Sequence, residues 1–438
     1  MKTGFIPIAH TDYTGCLVNG AAAVSDIEST GAEIISPESL VCDSWQAVEA
    51  GRLCVSAGAE CVILFFCSWV ECPVIMSVLR EVEHLPLLVW GVPMIETDDG
   101  LKSTGSYVAY AMFKGVLERA GYAYKGVLGP VGDPACRESI RSFLTAAHTH
   151  YRLKHSRVGL MGYSSMGIYP GTFDHLLMRV RIGPEIEHMD LYTYINRINN
   201  LRAVNARETR ELLNGTRLCI SPDVADKDLD TAGRMFRGLI DIKNERRWDA
   251  VNIKCQYELS KEFGMIACVP LSWAASKDFV TSCEGDILNT VSMLILNYLT
   301  GEVVSYGDAI HHEGNDLLIS SCGFSPFCFA AGESVIKPFA SGLGFSGLVC
   351  SHRVKPGLIT AMRLIEDIGD YHILFFTGEG MECPLRDGFL PALNIRLHGD
   401  MDKLVNNYAG QHFAFCYGDQ SGVLMDLARI LKINAVRV

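Results

Sequence analysis

Apolar runs and amphipathic stretches alternate along the first 150 residues. KTGFIPIAH is followed by a Gly/Ala-rich stretch, AEIISP, the helix-like DSWQAVEAGRLCVSAG, CVILFFCS, a helical pattern through PVIMSVLREVEH, and LPLLVWGVP. Apolar runs of roughly five to eight residues, separated by amphipathic helices, predict a parallel sheet covered on both faces. That is the pattern of a doubly wound α/β domain.

Shortly after residue 150 the pattern restarts. SRVGLMGYSSMGIYPG predicts a strand running into a Gly-rich turn, TFDHLLMRVRI a helix, and IEHMDLYTYINRINN a strand and a helix. WDAVNIKC and MIACVPLSW read as buried strands, and GDILNTVSMLILNYLTGE as a long apolar helix ending at Gly301. Beyond residue 300, LLISSC, GLVCSHRV, GLITAMRLIE, YHILFFTGEG and ALNIRLHG are short strand-like runs broken by Gly, Pro or Asp, which predicts an antiparallel sheet or barrel. HFAFCYGDQSGVLMDLARILKINAVRV adds a strand, a helix and a last strand. The division expected is residues 1–152, 153–300 and 301–438: two α/β domains, then a mainly antiparallel β domain. No low-complexity tract or short-period repeat interrupts them.

Charge narrows the partners. With a formal net charge of -12 over 438 residues, a nucleic acid or an anionic membrane is not the expected partner, because both select basic surfaces. The pair Arg246 and Arg247 reads as a solvated face. MKTGFIPIAH has too short an apolar core for a signal peptide and reads as a first strand, while CVILFFCSWV and LPLLVWGVP are too short to span a bilayer. A soluble, cytoplasmic protein is expected. The 16 cysteines are scattered, without a C-x-x-C pair, and several lie inside apolar strands as small hydrophobes.

Candidate chemistry sits in three segments. In TSCEGD, Glu284 and Asp286 stand at the entrance of the long apolar helix, with Ser282 as a possible cap. Acidic residues favour a helix N-terminus in any case, but this turn follows a presumed sheet edge, where ligands bind. Asp308 lies 24 residues on (308 minus 284), in VVSYGDAIHHEGND, where a Gly-Asp turn is the ordinary reading and His311 and His312 a solvated turn. His412 immediately precedes an apolar strand. Together the three would supply two carboxylates and an imidazole, a mixed O/N set suited to Mn²⁺ or a similar divalent ion with open positions. The turn GYSSMGIYPG lacks dinucleotide-binding spacing, and no P-loop, G-x-S-x-G elbow or H-E-x-x-H occurs.

The order of segments resembles the L-fucose isomerase and L-arabinose isomerase superfamily, particularly its shorter fucose-isomerase-like members. The matching pieces are LPLLVWGVP, RVGLMGYSSMGIYPGTFD, WDAVNIKC, SCEGDILNTVSMLILNYLTG, CGFSP and HFAFCYGD, spread over nearly the whole chain; CEGD leading into YLTG is the most specific. The resemblance implies two Rossmann-like domains before the β domain, and a homo-oligomer, trimer or hexamer, with sites near subunit boundaries. It implies Glu284, Asp308 and His412 as ligands of Mn²⁺ or another divalent metal such as Mg²⁺ or Co²⁺, with Glu284 and Asp308 also serving as base and acid. Trp69, Tyr169 and Lys254 would contact the sugar. Two departures stand out: Ser321-Cys322-Gly323 replaces a His-Cys-Gly, and KCQ at Lys254 lacks an expected Trp. The expected activity is metal-dependent aldose–ketose isomerisation of a free or modified sugar through an enediolate. The alternatives are isomerisation of an anionic, for example sulfonated, hexose, or a catalytically silent sugar-binding protein. A nicotinamide oxidoreductase ranks last.

Overall fold

The computed structural model describes residues 1–13, 17–98, 100–201, 206–213, 218–340, 342 and 344–438. The chain forms two compact units, Met1–Tyr151 with Gly422–Lys432, and Arg152–Ser421 with Ile433–Val438. No helix among the described residues is long and apolar enough to cross a membrane.

In the first unit, β1 (Lys2–Ile8), β2 (Glu33–Ile35), β3 (Cys61–Phe66), β4 (Leu87–Gly91) and β7 (Lys125–Leu128) form a parallel sheet in the order β2-β1-β3-β4-β7. A small hairpin, β5 (Ile95–Thr97) and β6 (Gly100–Lys102), follows β4. The apolar run of β3 serves both faces: Val62, Leu64 and Phe66 join one core, and Cys61, Ile63 and Phe65 the other. Helices cover both faces, so the strand needs no polar side. Asn19 and Asp43 start two of them, each accepting two backbone N–H bonds as an N-cap.

The second unit contains a parallel sheet, β12-β11-β8-β9, of β8 (Arg157–Met161), β9 (Glu185–Met189), β11 (Ala250–Ile253) and β12 (Val280–Cys283). A second, mainly antiparallel sheet runs β17-β20-β13-β14-β19-β18-β21, from β13 (Ser305–Glu313), β14 (Asp316–Ser320), β17 (Gly357–Glu366), β18 (Tyr371–Met381), β19 (Ala392–Leu397), β20 (His412–Tyr417) and β21 (Asn434–Arg437). Because β17 also pairs with β18, this sheet closes on itself. Its interior is filled by Leu317, Ile319, Ile359, Leu374, Phe376, Ile395 and Phe413 among others. A third sheet joins β10 (Leu218–Ile220), β15 (Ser334–Pro338) and β16 (Leu348–Ser351).

The helix Ile287–Thr300 packs against β11 and β12 of the parallel sheet and against β17 and β20 of the antiparallel one. Contact on both sides explains why it is apolar all round, instead of along one stripe. Asp286 caps its start and Gly301 (φ 68°) its end. Two expectations fail locally. MIACVPLSW is not a strand: Cys268–Ala275 is a helix with every residue buried, and a uniformly apolar run carries no periodicity to tell the two apart. Asp308 lies inside β13, not in a turn, and the polar run that suggested a turn is the exposed half of that strand.

Leu294 in this helix is fully buried. Leu294→Ala is expected to destabilise the second unit by about 2–5 kcal/mol, through lost transfer energy and the cavity left behind. The urea midpoint of its unfolding transition checks this, and an unmoved midpoint would contradict the packing described.

Candidate functional site

The end of β12 turns sharply into the helix. Glu284 and Gly285 both have φ 73°, a left-handed conformation that is uncommon for Glu. A side chain on Gly285 would lie 2.3 Å from the Tyr163 carbonyl oxygen, so the turn is tight as well as left-handed. Asn252 on β11 holds it: its Oδ1 accepts the Gly285 N–H at 2.6 Å, and its amide nitrogen donates to Ser282 Oγ, the carbonyls of Cys283 and Asp286, and Thr290 Oγ1. Glu284 donates its own N–H to Ile253 O and accepts from the Ser165 N–H. The strain is thus held by a buried network at a carboxylate that must point in one direction.

Asp286, not Ser282, is the helix cap. Its Oδ1 accepts the Asn289 N–H at 2.9 Å, while the Ser282 hydroxyl is shared with Asn252 and Thr290. The other oxygen of Asp286 meets Arg363 Nη1 at 2.9 Å and His412 Nδ1 at 2.8 Å, and all three side chains are fully buried. Arg363 also donates to the carbonyls of His412 and Pro170.

His412 opens β20 and pairs across the sheet with Asp308 on β13, which pairs in turn with Ser320 on β14. Residues directly opposite on neighbouring antiparallel strands share a face, so His412, Asp308 and Ser320 form one row. His412 Nε2 faces Glu284 Oε2 at 3.3 Å and Asp308 Oδ1 at 3.3 Å, and has no hydrogen-bond partner. Glu284, Asp308 and His412 are therefore brought together from just past the end of β12, from within β13 and from the start of β20. Cys322 donates its S–H to Glu284 Oε1 at 3.4 Å, and Tyr306 sets its ring edge-on to the imidazole. Gln256, buried two residues after Lys254, has both amide atoms unpartnered.

Charge sets the protonation. Burial raises the Asp286 carboxyl, but Arg363 and then His412 overcome it and hold the group down at about 2. Burial opposes an imidazolium at His412, yet the hydrogen bond to Asp286 and the negative charges of Asp286 and Glu284 push it up to about 10. Glu284 is lowered against its burial, chiefly by His412. Asp308 goes the other way, to about 6: burial and the Glu284 charge raise it, while His412 and Arg386 only partly offset them.

The donor set fits a divalent cation. Asp286 fixes Nδ1, which leaves Nε2 facing two carboxylates, the carboxylate–imidazole arrangement that orients a ligand toward a metal. As they stand, no three His, Cys, Asp or Glu side chains among the described residues form a group that could hold a metal ion. The fit rests on the donor types and on the unpartnered Nε2.

Lys254, Tyr169 and Trp69, the residues expected to contact the sugar, have distinct surroundings. Lys254 is buried with its ammonium against Glu258 and 3.8 Å from the Tyr163 ring centre. Tyr169 is 81% exposed, in the short turn Tyr169–Gly171. Trp69, in the first unit, stands beside His10 and Tyr13, with ring centres 5.3 and 6.3 Å away. Ser321 donates to the Phe324 carbonyl. Arg246 pairs with Glu187, and His311 and His312 are exposed. Sequence reasoning missed Arg363 and Gln256. An arginine within the apolar run GLITAMRLIE was a readable signal for the first; nothing marked the second.

No family model matches the chain. It is similar to the sulfoquinovose isomerase of Alkalicoccus urumqiensis, 23% identical over 360 residues that cover 81% of each chain. It is 21% identical to the sulfoquinovose isomerase of Priestia aryabhattai, over 82% of this chain and 81% of that one, and 21% identical to that of Clostridium sp. (strain MSTE9), over 82% of each. Among solved structures, the periplasmic arabinose-binding component of an ABC transporter from Shewanella sp. ANA-3 is 11% identical and covers 69% of this chain and 87% of its own, with a TM-score of 0.17, too slight a likeness to bear on the fold.

Asp286→Ala is expected to destabilise the second unit by about 3–5 kcal/mol, because it leaves Arg363 buried without a counter-charge. A depressed carboxyl stabilises the fold above its unfolded value and ceases to as pH falls through the folded one. The Asp286 contribution is thus complete above the ordinary 3.8 and lost toward about 2. Acid titration followed by circular dichroism should show this limb in the wild type and a flatter one in Asp286→Asn/Arg363→Met; identical limbs would refute the assignment.

Proposed function

We propose that the chain is an aldose–ketose isomerase, an intramolecular oxidoreductase, whose substrate is an anionic, sulfonated hexose. The observation that carries the reading is the placement of Glu284 and Asp308 around one unpartnered imidazole nitrogen of His412. The similarity to sulfoquinovose isomerases over about four-fifths of the chain favours an anionic sugar over a neutral one. The order of motifs, which resembles the fucose and arabinose isomerase superfamily, supports the same chemistry.

Isomerisation moves one proton between C1 and C2 and another between the two oxygens. One carboxylate removes the C2 proton and returns it to C1 across an enediolate; the other shuttles the hydroxyl proton. Glu284 and Asp308 fill these roles. The left-handed turn and the Cys322 thiol orient Glu284, while the β-sheet pairing with His412 and Ser320 orients Asp308. A bound divalent ion such as Mn²⁺, held by Glu284, Asp308 and His412, would supply Lewis acidity to the carbonyl. Asp286 and Arg363 keep His412 in the orientation such an ion requires.

The test is incubation with Mn²⁺ and sulfoquinovose in D₂O, followed by NMR. Ketose formation with C–D exchange is expected, abolished by EDTA. Glu284→Gln is expected to lower kcat by about 10²–10⁴-fold. Absence of turnover on sulfonated and neutral aldoses alike, with metal affinity unchanged in Glu284→Gln, would reject the reading.

A further inference from the structure

The site is rich in negative charge. Glu284, Asp286 and Asp308 stand close together, and the buried Arg363 is already consumed by Asp286 and two carbonyls. Lys254 is likewise taken by Glu258. A sulfonated sugar brought here would add a permanent anion beside these carboxylates, at a cost unless a further cation meets it.

Arg386 is in a position to do so. It begins the turn Asp387–Phe389, between β18 and β19, which closes through Arg386 N–H to Leu390 O at 3.0 Å and Phe389 N–H to Arg386 O at 2.9 Å. Two consecutive left-handed residues, Gly388 (φ 74°) and Phe389 (φ 66°), bend the loop back, and Phe389 accepts a conformation unfavourable for a bulky side chain. The bend sends the half-buried Arg386 side chain onto the antiparallel sheet, where Nη1 donates to Ser320 Oγ at 3.1 Å. Ser320 is the cross-strand partner of Asp308. The guanidinium thus lies at the row His412–Asp308–Ser320, on the side of Asp308 away from His412, about two strand spacings or roughly 10 Å from the His412 strand. No carboxylate among the described residues forms an ion pair with it, and its charge is felt at Asp308. One nitrogen is committed to a hydroxyl, and the rest of the planar fork remains for an oxyanion.

We propose that Arg386 is the residue that selects the anionic substrate, binding the sulfonate of a hexose whose carbonyl end lies among Glu284, Asp308 and His412. This rests on the anionic-sugar reading of the same site. A six-carbon chain separates the two ends of such a sugar, and the row separates the two groups that would hold them. A guanidinium suits a three-oxygen anion because its parallel N–H groups can donate to two oxygens at once.

Calorimetry with two non-isomerisable ligands, the alditol of sulfoquinovose and the uncharged alditol of 6-deoxyglucose, tests this without turnover. The Mn²⁺-loaded wild type is expected to prefer the sulfonated alditol. Arg386→Gln should reduce that preference roughly 10- to 100-fold, the loss of a charge-assisted contact. Arg386→Lys, which keeps the charge and loses the fork, should fall between. Arg353→Gln, which removes a surface cation paired with Glu382, should leave the preference as it is. If Arg386 merely braces Ser320, both ligands weaken together in Arg386→Gln and the preference survives, which overturns the proposal while leaving the isomerase reading intact. If Arg386→Gln does not fold, a preference in Arg386→Lys equal to wild type overturns it as well. A wild type without preference for the sulfonated alditol overturns both the proposal and the anionic-sugar reading.

Discussion

The carboxylate of Asp286 is enclosed with Arg363 and His412 where no water reaches any of them. Three ionisable groups in such a place are tolerated because Asp286, with Glu284 beside His412, balances the two cations, although Arg363 Nε and His412 Nε2 have no hydrogen-bond partner. Asp286 caps the central helix with one oxygen and gathers the two cations with the other, while Arg363 ties in the carbonyls of His412 and Pro170. The parallel sheet, the helix and the closed antiparallel sheet of the second unit are thereby joined at one point. Removing Asp286 would leave Arg363 buried without its counter-charge, and the arrangement specifies a geometry more than it adds stability.

That geometry decides what Glu284 and Asp308 can do. With Nδ1 of His412 fixed, Nε2 has one direction left, toward the two carboxylates. Glu284 reaches it through a left-handed turn that its residue type disfavours, held by Asn252. Asp308 reaches it through cross-strand pairing with His412, just before a register shift between Ala309 and His311. One carboxylate is depressed, by His412 and the Cys322 thiol, and the other raised, by burial and the neighbouring Glu284 charge; such a separation is what proton transfer between two groups uses.

The same charge balance bears on the substrate. A site with three carboxylates and two committed cations repels an anion unless a further cation stands at its far end. Arg386, delivered by a bent loop onto the row of His412, Asp308 and Ser320, carries a charge that no carboxylate among the described residues pairs. Neutral and sulfonated sugars would therefore be distinguished away from the reacting carbons.

Much of this chain could be read from its residues alone. Strands covered on both faces announce themselves as unbroken apolar runs, as CVILFFCS does, and the end of the helix after CEGD is legible at Gly301, while its expected cap, Ser282, gives way to Asp286. Glu284, Asp308 and His412 were named from motif order and not from chemistry, since in isolation each looked like a cap, a turn or a strand edge. MIACVPLSW shows where local pattern fails, because full burial erases the periodicity that separates strand from helix. Asp286 was visible only as an acidic residue at a helix entrance. Its hold on Arg363 and His412, like the reach of Arg386 toward Ser320, joins segments far apart in the chain. Composition and local pattern determined which elements form; which side chains meet was decided by strand register and loop curvature, which bring distant residues onto one face and leave no local trace.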